Sequence, residues 1–280
     1  MISIITPTYN RQEKLQRTIK SILAQTSDDW ELFVVDDGST DETEQVVQQY
    51  LTDSRIKYIK KENTGAAHTR NVGATYAKGE FIAFLDSDDE LLPNYVEVVS
   101  KELKSNIGLI SVGIIRQFEN GVQHEELPHK PKLFGRKLCI QYNALIMRKT
   151  VFDAIGGFDS NLKSSHFTDI SIRLYQQLMK TKLQIIPILE CLIRVHIHSG
   201  PRIRNNWNLV KEGSIQFTKK HADFIKDLSK EYLADTYGVI AFACFRVKER
   251  RNAIKYSLLA IKYKPMKYKY YLRLLKYTFR

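Results

Sequence analysis

Two hydrophobic periodicities alternate along the first hundred residues of this chain. Short β-rich apolar runs occur at ISIIT (2–6), ELFVVD (31–36), RIKYIK (55–60) and EFIAFLD (80–86). Helical patterns separate these runs at EKLQRTIKSILAQ (13–25), DETEQVVQQYL (41–51) and AAHTRNVGATYA (66–77). Because strands and helices alternate at this spacing, the pattern predicts βαβ units and an α/β fold, with a mostly parallel sheet flanked by helices.

The rest of the chain is less regular. A hairpin is predicted at 108–127, turning at Asn120-Gly121, and a strand, a short helix and a Gly-Gly turn are predicted within 141–159. A helix follows within 162–181. Beyond residue 201 the pattern is helical and is broken mainly at Lys264-Pro265. We therefore expect a catalytic domain at 1–203 and a helical extension at 204–280.

Polar, turn-rich segments follow the four predicted N-terminal strands. They read PTYNR (7–11), DDGSTD (36–41), ENTGAAHTRN (62–71) and DSDDELLP (86–93). The carboxyl ends of parallel strands share one edge of a sheet, where α/β proteins usually bind their ligands. The sequence therefore predicts that these four segments form one site.

The acidic segment at 86–93 has two interpretations. Helix capping accounts for one or two of its carboxylates, since Asp is a favoured N-cap and Pro93 fits the first helical position. A divalent cation accounts for all of them, because Mg²⁺ and Mn²⁺ prefer hard oxygen ligands. The segment by itself does not decide between these interpretations.

The other strand ends offer groups that suit a nucleotide. Asp37 can accept hydrogen bonds from a base or ribose, whereas Asp41 is the better candidate for a helix cap. Tyr9 and the backbone of PTYNR can flank a base. Arg70 can bind a phosphate, and its alternative is a salt bridge to a nearby Asp.

The segments PTYNR, VVDDGSTDET, NTGAAHTRNVG, GEFIAFLDSDDELLP and GGFD, in this order, resemble the family 2 glycosyltransferases. These are inverting enzymes of the Rossmann-like GT-A fold that use nucleotide-diphosphate sugars. The resemblance covers residues 1–200 and implies a donor that is UDP-linked. It implies nucleotide contacts from Pro7, Thr8, Tyr9, Asp36, Asp37, Arg70, Asp86 and Ser87.

The resemblance also implies a metal site. DSD at 86–88 is similar to the family's DxD motif, which holds Mn²⁺ or Mg²⁺ against the diphosphate of the donor. Asp88 is then the direct ligand, and Asp89 and Glu90 are expected to be caps. RVHIHS (194–199) is similar to a late family element in which His196 contacts the metal or diphosphate, with His198 as its rival. The alternative is that both histidines simply face solvent.

The catalytic base departs from the family pattern. In relatives a carboxylate six residues before an Arg takes the proton from the acceptor hydroxyl, but counting back from Arg173 reaches Phe167. Asp169 is our predicted base, and His166, one helical turn away, is the alternative. Asp169 can also be an ordinary acid in the first turn of its helix.

Charge is unevenly distributed along the chain. Residues 246–280 contain twelve Lys or Arg and one Glu, so they carry +11 of the net charge of +12. Lys and Arg alternate there with Tyr, Leu and Ile, which favours an interfacial helix on an anionic membrane. A helical hairpin that packs on the protein is the alternative. We expect no nucleic-acid partner, because no known nucleic-acid-binding motif accompanies these charges.

The remaining features point to a cytoplasmic enzyme. The sequence shows no export signal and no transmembrane segment, and its three cysteines lack metal-ligand spacing. A dehydrogenase is excluded because no G-x-G-x-x-G follows ISIIT. We expect a metal-dependent inverting glycosyltransferase, peripheral at the inner face of the cell membrane, that transfers a sugar to a glycan or lipid-linked glycan. A nucleotide-sugar-binding protein without turnover is the alternative.

Overall fold

The computed structural model describes residues 1–128, 144–198 and 206–279. Two compact units divide these residues. The α/β unit comprises 1–128, 144–159 and 170–198, and the helical unit comprises 160–169 and 206–279. Residues 160–169 therefore belong with the helices, whereas the boundary proposed from the sequence leaves them in the first domain.

Nine strands form one sheet within the described part of the chain. They are β1 (Ile2–Thr8), β2 (Trp30–Asp36), β3 (Ile56–Lys60), β4 (Phe81–Phe84), β5 (Glu90–Leu91), β6 (Ile107–Phe118), β7 (Gln123–Glu126), β8 (Leu145–Arg148) and β9 (Gln184–Ile197). Their order is β3-β2-β1-β4-β8-β6-β9-β5, with β7 beside β6.

The sheet is parallel at one side and mixed at the other. The pairs β1–β2, β2–β3 and β1–β4 are parallel, as the βαβ pattern predicts. Strand β8 is antiparallel to both of its neighbours, and β5 is antiparallel to β9. The predicted hairpin at Asn120-Gly121 is confirmed by the antiparallel pair of β6 and β7. The sheet as a whole is therefore mixed, because the direct strand–helix alternation stops after β4.

Six helices belong wholly or partly to the α/β unit. They are α1 (Gln12–Leu23), α2 (Thr43–Gln48), α3 (Ala66–Tyr76), α4 (Tyr95–Ser100), α5 (Lys149–Ala154) and α6 (His166–Thr181). Helix α1 buries Leu15, Ile19 and Ile22, which lie on one face at helical spacing and pack into the core. Strand β2 is covered on both faces, as its unbroken apolar run predicts.

The four parallel strands end at one edge of the sheet, so the predicted meeting of their polar segments is confirmed. The capping interpretation of the acidic segment is wrong in detail. Helix α4 begins at Tyr95, two residues after Pro93, and Glu90 lies in strand β5. Neither Asp89 nor Glu90 is therefore the cap that we expected.

The helical unit contains α7 (Trp207–Leu228), α8 (Lys230–Arg246), α9 (Arg250–Tyr263) and α10 (Tyr268–Phe279). The break predicted at Lys264-Pro265 separates α9 from α10. Tyr270 and Tyr277 of α10 are buried against α8 and α9, and Asp235 accepts hydrogen bonds from Lys267 and Tyr270. Within the described residues, no helix is both long enough and apolar enough to span a bilayer.

Candidate active site

The acidic turn after β4 is held in place through its backbone. The Asp89 N–H donates to the carbonyl oxygen of Asp86, which closes the turn. Helix α1 binds the same turn through two hydrogen bonds of 2.7 Å. Arg17 Nη2 donates to the Asp88 carbonyl, and Thr18 Oγ1 donates to the Asp89 carbonyl. Main-chain contacts thus hold the turn in position, in addition to any contacts that its carboxylates make.

Three carboxylates converge at this turn. One oxygen each from Asp86, Asp88 and Asp89 lie within 4.8 Å of one another. Asp89 is almost fully buried, and its Oδ1 accepts a hydrogen bond of 3.0 Å from the His196 N–H. Like charges this close repel one another, and hard oxygen donors are the set that Mg²⁺ and Mn²⁺ prefer. The residues therefore fit a divalent cation.

Two histidines of the strand β9 segment reach the acidic turn in different ways. His198 Nε2 lies 2.8 Å from Asp88 Oδ2, whereas His196 Nε2 lies 2.5 Å from Glu90 Oε1. Burial lowers the pKa of His196, and this effect outweighs the opposing influence of Glu90. The His198 ring therefore contacts a carboxylate of the cluster, whereas the His196 ring contacts Glu90 outside it, and the predicted metal contact of His196 remains a prediction.

Arg70 forms the salt bridge that the sequence left as its alternative. Its Nη2 lies 2.7 Å from Asp86 Oδ1, and the guanidinium lies 5.7 Å from the centre of the Phe158 ring. The side chain is only 7% exposed, so the charge is held close to the acidic turn in a poorly solvated position. A phosphate near Asp86 would meet this guanidinium.

Side chains of Asn71 and Arg173 hold the GGFD segment, and these contacts were not predicted from the sequence. Asn71 donates to the Phe158 carbonyl and accepts from the Phe158 N–H, each at 2.8 Å. Arg173 Nη1 donates to the carbonyls of Ile155 and Gly157 at 2.7 and 2.6 Å. These contacts place the Phe158 ring against Arg70. The only sequence signal was the Gly-Gly turn itself.

The two aspartates after β2 organise neighbouring loops. Asp37 accepts hydrogen bonds of 2.9 Å from the backbone N–H groups of Thr64 and Gly65, and it pairs with Lys61. Burial acts to raise the pKa of Asp37, but these bonds outweigh it and hold the pKa below its usual value. Asp37 therefore joins the β2 end to the segment that begins α3, and its predicted contact with a nucleotide remains a prediction.

Asp36 has a similar local role. Its Oδ1 accepts from the Ser39 N–H at 2.7 Å, and its Oδ2 accepts from the Tyr58 hydroxyl at 2.6 Å. Asp41 accepts from the N–H of Thr43, the first residue of α2, but the N-cap of this helix is Glu42, so Asp41 is not the cap that we expected.

The end of β1 contains groups suited to a ligand. Thr8 is buried, and its Oγ1 has no hydrogen-bond partner among the described residues, a property that Thr6 shares. Tyr9 is 47% exposed, and Ser87 is buried beside the acidic turn. A buried hydroxyl without a partner costs free energy, which a ligand group can recover.

The predicted base lies in the helical unit and is closed to solvent. Asp169 is fully buried, and its Oδ1 lies 2.8 Å from both Lys220 Nζ and His221 Nε2. The Nε2 of His166 lies 2.7 Å from the Leu162 carbonyl, so this nitrogen carries the proton and donates it. In this conformation Asp169 cannot meet an acceptor hydroxyl, which argues against our assignment of the base.

Comparison with known proteins identifies the class. The family model described as Glycosyl transferase family 2 matches residues 3–166. The chain therefore belongs to glycosyltransferase family 2, and it is an enzyme of that type with a GT-A fold.

Curated relatives support the same assignment. The chain is 33% identical over 248 residues to WcaA of Escherichia coli K12, which is named as a colanic acid biosynthesis glycosyl transferase; the match covers 83% of this chain and 85% of WcaA. It is 45% identical over 221 residues to TuaG of Bacillus subtilis 168, named for teichuronic acid biosynthesis, with 76% and 85% covered. Over 112 residues it is 46% identical to the Escherichia coli UDP-Glc:alpha-D-GlcNAc-diphosphoundecaprenol beta-1,3-glucosyltransferase WfgD, with 39% of this chain and 44% of WfgD covered.

Solved structures share the fold at low sequence identity. TarS 1–349 of S. aureus, in complex with UDP-GlcNAc, aligns with a TM-score of 0.63 and 19% identity, covering 94% of this chain and 81% of TarS. The mannosyltransferase PcManGT of Pyrobaculum calidifontis, in complex with GDP-Man and Mn²⁺, aligns with a TM-score of 0.60 and 16% identity, covering 99% and 84%. These alignments confirm the GT-A fold that the sequence predicts.

Proposed function

We propose that this enzyme transfers a hexosyl or N-acetylhexosaminyl group from a UDP-sugar to a hydroxyl of a lipid-linked glycan, with inversion. The observation that carries this proposal is the convergence of Asp86, Asp88 and Asp89 at the carboxyl edge of the parallel strands. Complexes of TarS with UDP-GlcNAc support the donor class. The name of WfgD, whose acceptor is a sugar linked to diphosphoundecaprenol, supports the acceptor class.

The donor nucleotide is assigned to the strand ends. Pro7, Thr8 and Tyr9 flank the base, with the Thr8 hydroxyl supplying a hydrogen bond. Asp36 and Asp37 order the loops around the base and ribose. Arg70, Asp86 and Ser87 lie at the diphosphate end, where the Arg70 guanidinium opposes phosphate charge. Each role follows from the position of the residue at one edge of the sheet.

A divalent cation, Mn²⁺ or Mg²⁺, is the proposed cofactor. Asp88 and its neighbours Asp86 and Asp89 would hold it, with His198 a better placed fourth group than His196. When bound, the cation neutralises the leaving diphosphate as a Lewis acid. Arg17 and Thr18 keep the turn in position through its carbonyls, so the ligand oxygens are preorganised. The Mn²⁺ present in the PcManGT structure supports this cofactor.

Transfer with inversion is a single displacement. The acceptor oxygen bonds to the anomeric carbon, the bond from that carbon to the UDP oxygen breaks, and a base takes the hydroxyl proton. Asp169 remains a candidate for this base only if Lys220 and His221 release its carboxylate. His166 remains the alternative through its second ring nitrogen.

Paired substitutions separate a base from a structural acid. If Asp169 is the base, Asp169→Asn keeps donor binding below its melting temperature, while transfer falls about 10²–10⁴-fold. If it is structural, the melting temperature falls, because the partners Lys220 and His221 lose a buried carboxylate. Loss of transfer in His166→Ala, with Asp169→Asn still active, assigns the base to His166.

A donor screen tests the function itself. Purified protein with Mn²⁺ is incubated with UDP-glucose, UDP-GlcNAc and GDP-mannose, with and without a polyprenyl-diphosphate-linked sugar, and the released nucleotide is measured. We expect UDP release that depends on the acceptor and stops with a chelator. Release from GDP-mannose alone would contradict the UDP assignment.

A second function has a specific observation in its favour. Phe167 occupies the family's usual acidic position, and Asp169 is buried, so the chain can be a nucleotide-sugar-binding protein without turnover. UDP-sugar binding that depends on Mn²⁺, together with neither hydrolysis nor transfer, would establish this alternative.

A peripheral location at the inner face of a membrane fits a lipid-linked acceptor. The basic segment 246–280 is the proposed contact, and its partner is anionic lipid and not nucleic acid.

A further inference from the structure

Helix α10 has two apolar faces. One face contains Tyr270 and Tyr277, which are buried in the helical unit. The opposite face contains Tyr268, Leu272, Leu275 and Phe279, which we call the outer stripe. Successive members are four, three and four residues apart, so they lie along one side of the helix. The helix thus presents an apolar row to solvent on the side away from its core.

The outer stripe is strongly exposed. Tyr268 is 66% exposed, Leu272 58%, Leu275 54% and Phe279 79%. Met266, just before the helix, is 92% exposed. Single exposed apolar residues are normal on protein surfaces, but a continuous row on one helix face marks an interaction site.

A row of cations follows the outer stripe. Lys269, Arg273 and Lys276 are exposed on one flank of α10, and none of them has an acidic partner among the described residues. Arg273 lies 5.8 Å from the ring centre of Phe242, and Lys276 lies 5.4 Å from that of Phe245. These ring contacts keep the cationic row beside the stripe. By contrast, Lys264 and Lys267 are neutralised by Glu231 and Asp235.

We propose that the outer stripe of α10 lies in the headgroup region of an anionic bilayer, parallel to its plane. This inference deepens the proposed function, since a lipid-linked acceptor is presented at that surface. Apolar and aromatic side chains would enter the acyl boundary, while Lys269, Arg273 and Lys276 meet lipid phosphates. The arrangement is that of an interfacial helix fixed to a folded body through its other face.

Charge argues against a second copy of the chain as the occupant. In a two-fold contact the same face meets itself, so each cationic row would approach the other. Anionic lipid instead offers negative charge along the whole row. The basic residues of the stripe's flank therefore favour lipid over self-association.

The test uses the full-length protein and co-sedimentation with vesicles, either of phosphatidylcholine alone or with about one-third phosphatidylglycerol. The stripe variant is Leu272→Ser/Leu275→Ser/Phe279→Ser, and its control is Met179→Ser/Leu189→Ser/Val122→Ser, which alters apolar residues exposed elsewhere. The flank variant is Lys269→Gln/Arg273→Gln/Lys276→Gln. Its control, Lys57→Gln/Lys78→Gln/Lys180→Gln, removes the same charge from other exposed sites.

We expect wild-type protein and both controls to bind anionic vesicles. The stripe variant should bind at least tenfold more weakly to both lipid mixtures, because it removes the apolar side chains that the bilayer would bury. The flank variant should lose binding roughly fivefold per cation on anionic vesicles only. The stripe variant and both controls should keep the wild-type melting temperature, since the changed side chains are exposed. The flank variant should melt slightly lower, because it loses two cation–ring contacts, and should stay folded.

Two results would overturn the inference. One is unchanged vesicle binding in the stripe variant. The other is a wild-type dimer that the stripe variant dissociates, which would make the stripe a contact between copies. Release of UDP in the presence of the polyprenyl-diphosphate-linked acceptor in detergent, without vesicles, should be the same in all variants. If no variant or wild-type protein releases UDP, the proposed function fails while the vesicle result stands by itself.

Discussion

The three aspartates after β4 repel one another, and the salt bridge between Asp86 and Arg70 offsets only part of this repulsion. Their backbone is held by Arg17 and Thr18, so the fold keeps them together at a cost in electrostatic free energy. Stability lost at one site is commonly tolerated where function requires it. At the scale of single residues, this cluster is therefore the strongest mark of function within the part of the chain that the structure describes.

Asp88→Asn should remove one negative charge and the partner of His198 while the turn stays in place. With Mn²⁺ present, we expect weaker UDP binding by calorimetry and at least about 100-fold slower transfer, since several kcal/mol of charge stabilisation are lost. The control Asp153→Asn, in an exposed pair with Lys149, should change neither quantity. UDP affinity that is unchanged by both Asp88→Asn and a chelator would rule out the metal site.

Asp37→Asn should destabilise the protein in a pH-dependent way. The amide cannot accept from all the donors around the carboxylate, so we expect a loss of about 1–3 kcal/mol at pH 7. The pKa of Asp37 is lowered in the folded state, so its stabilisation is present above the unfolded pKa and lost as pH falls through the folded one. The difference in melting temperature from wild type should therefore shrink below about pH 4. A difference that is constant with pH would contradict this account.

At the scale of elements, the GGFD turn after α5 shows how a loop is positioned for function. Gly156 and Gly157 both have positive φ, at 73° and 66°. A Cβ on Gly157 would lie 2.6 Å from Asn71 Oδ1, whereas a Cβ on Gly156 would meet nothing within 4 Å. Asn71 and Arg173 hold the turn, and the turn places Phe158 against Arg70.

The two glycines provide a matched pair of substitutions. Gly156→Ala should lower the free energy of unfolding by about 1 kcal/mol, because alanine is strained in the left-handed backbone conformation but meets no other atom there. Gly157→Ala should lower the free energy of unfolding by more than this. It should also raise the KM for the donor, because displaced Asn71 no longer holds Phe158 against Arg70. Urea unfolding and steady-state kinetics measure both effects. Equal costs and equal KM values would show that the contact of Asn71 with Phe158 does not matter.

The local sequence pattern predicted the strands and helices better than it predicted the contacts between them. The alternation of apolar runs was sufficient for β1 to β4 and their helices, because each βαβ unit is specified within a short segment. The antiparallel neighbours of β8 depend on pairings between distant segments, which no local pattern encodes. The same reason explains the site: Asp89 receives its hydrogen bond from His196, and Asn71 contacts Phe158, across long sequence separations. The burial of Asp169 against Lys220 and His221 likewise could not be predicted, because the residue pattern of helix α6 carries no information about contacts with another helix.

At the scale of the whole molecule, the basic segment 246–280 is part of the packed core of its own unit. It supplies Ala253, Ala260, Tyr270 and Tyr277 to the helical core, so part of the packing alternative is confirmed. Truncation after Arg246 would therefore unfold packed helices and is a poor test of membrane binding. Substitution of exposed residues is the better test.

Ligand binding should raise the melting temperature of the protein by mass action. At a free UDP concentration about 100 times Kd, with Mn²⁺, we expect a gain of about 2.7 kcal/mol. A chelator should remove most of this gain, and Asp88→Asn should remove it as well. A shift with UDP that is equally large with and without Mn²⁺, measured by differential scanning fluorimetry, would contradict a shared nucleotide–metal site.

The hydrogen bonds from α1 to the acidic turn have a consequence for how this enzyme can evolve. Arg17 and Thr18 bind carbonyl oxygens, which every residue type possesses. These two contacts therefore persist whichever side chain stands at position 88, whereas Asp86 and Asp89 also make side-chain contacts, with Arg70 and with the His196 N–H. If the turn binds a cation, as we propose, a substitution at position 88 can change ion binding while Arg17 and Thr18 still hold the backbone, so the scaffold and the ion site can evolve separately at this position.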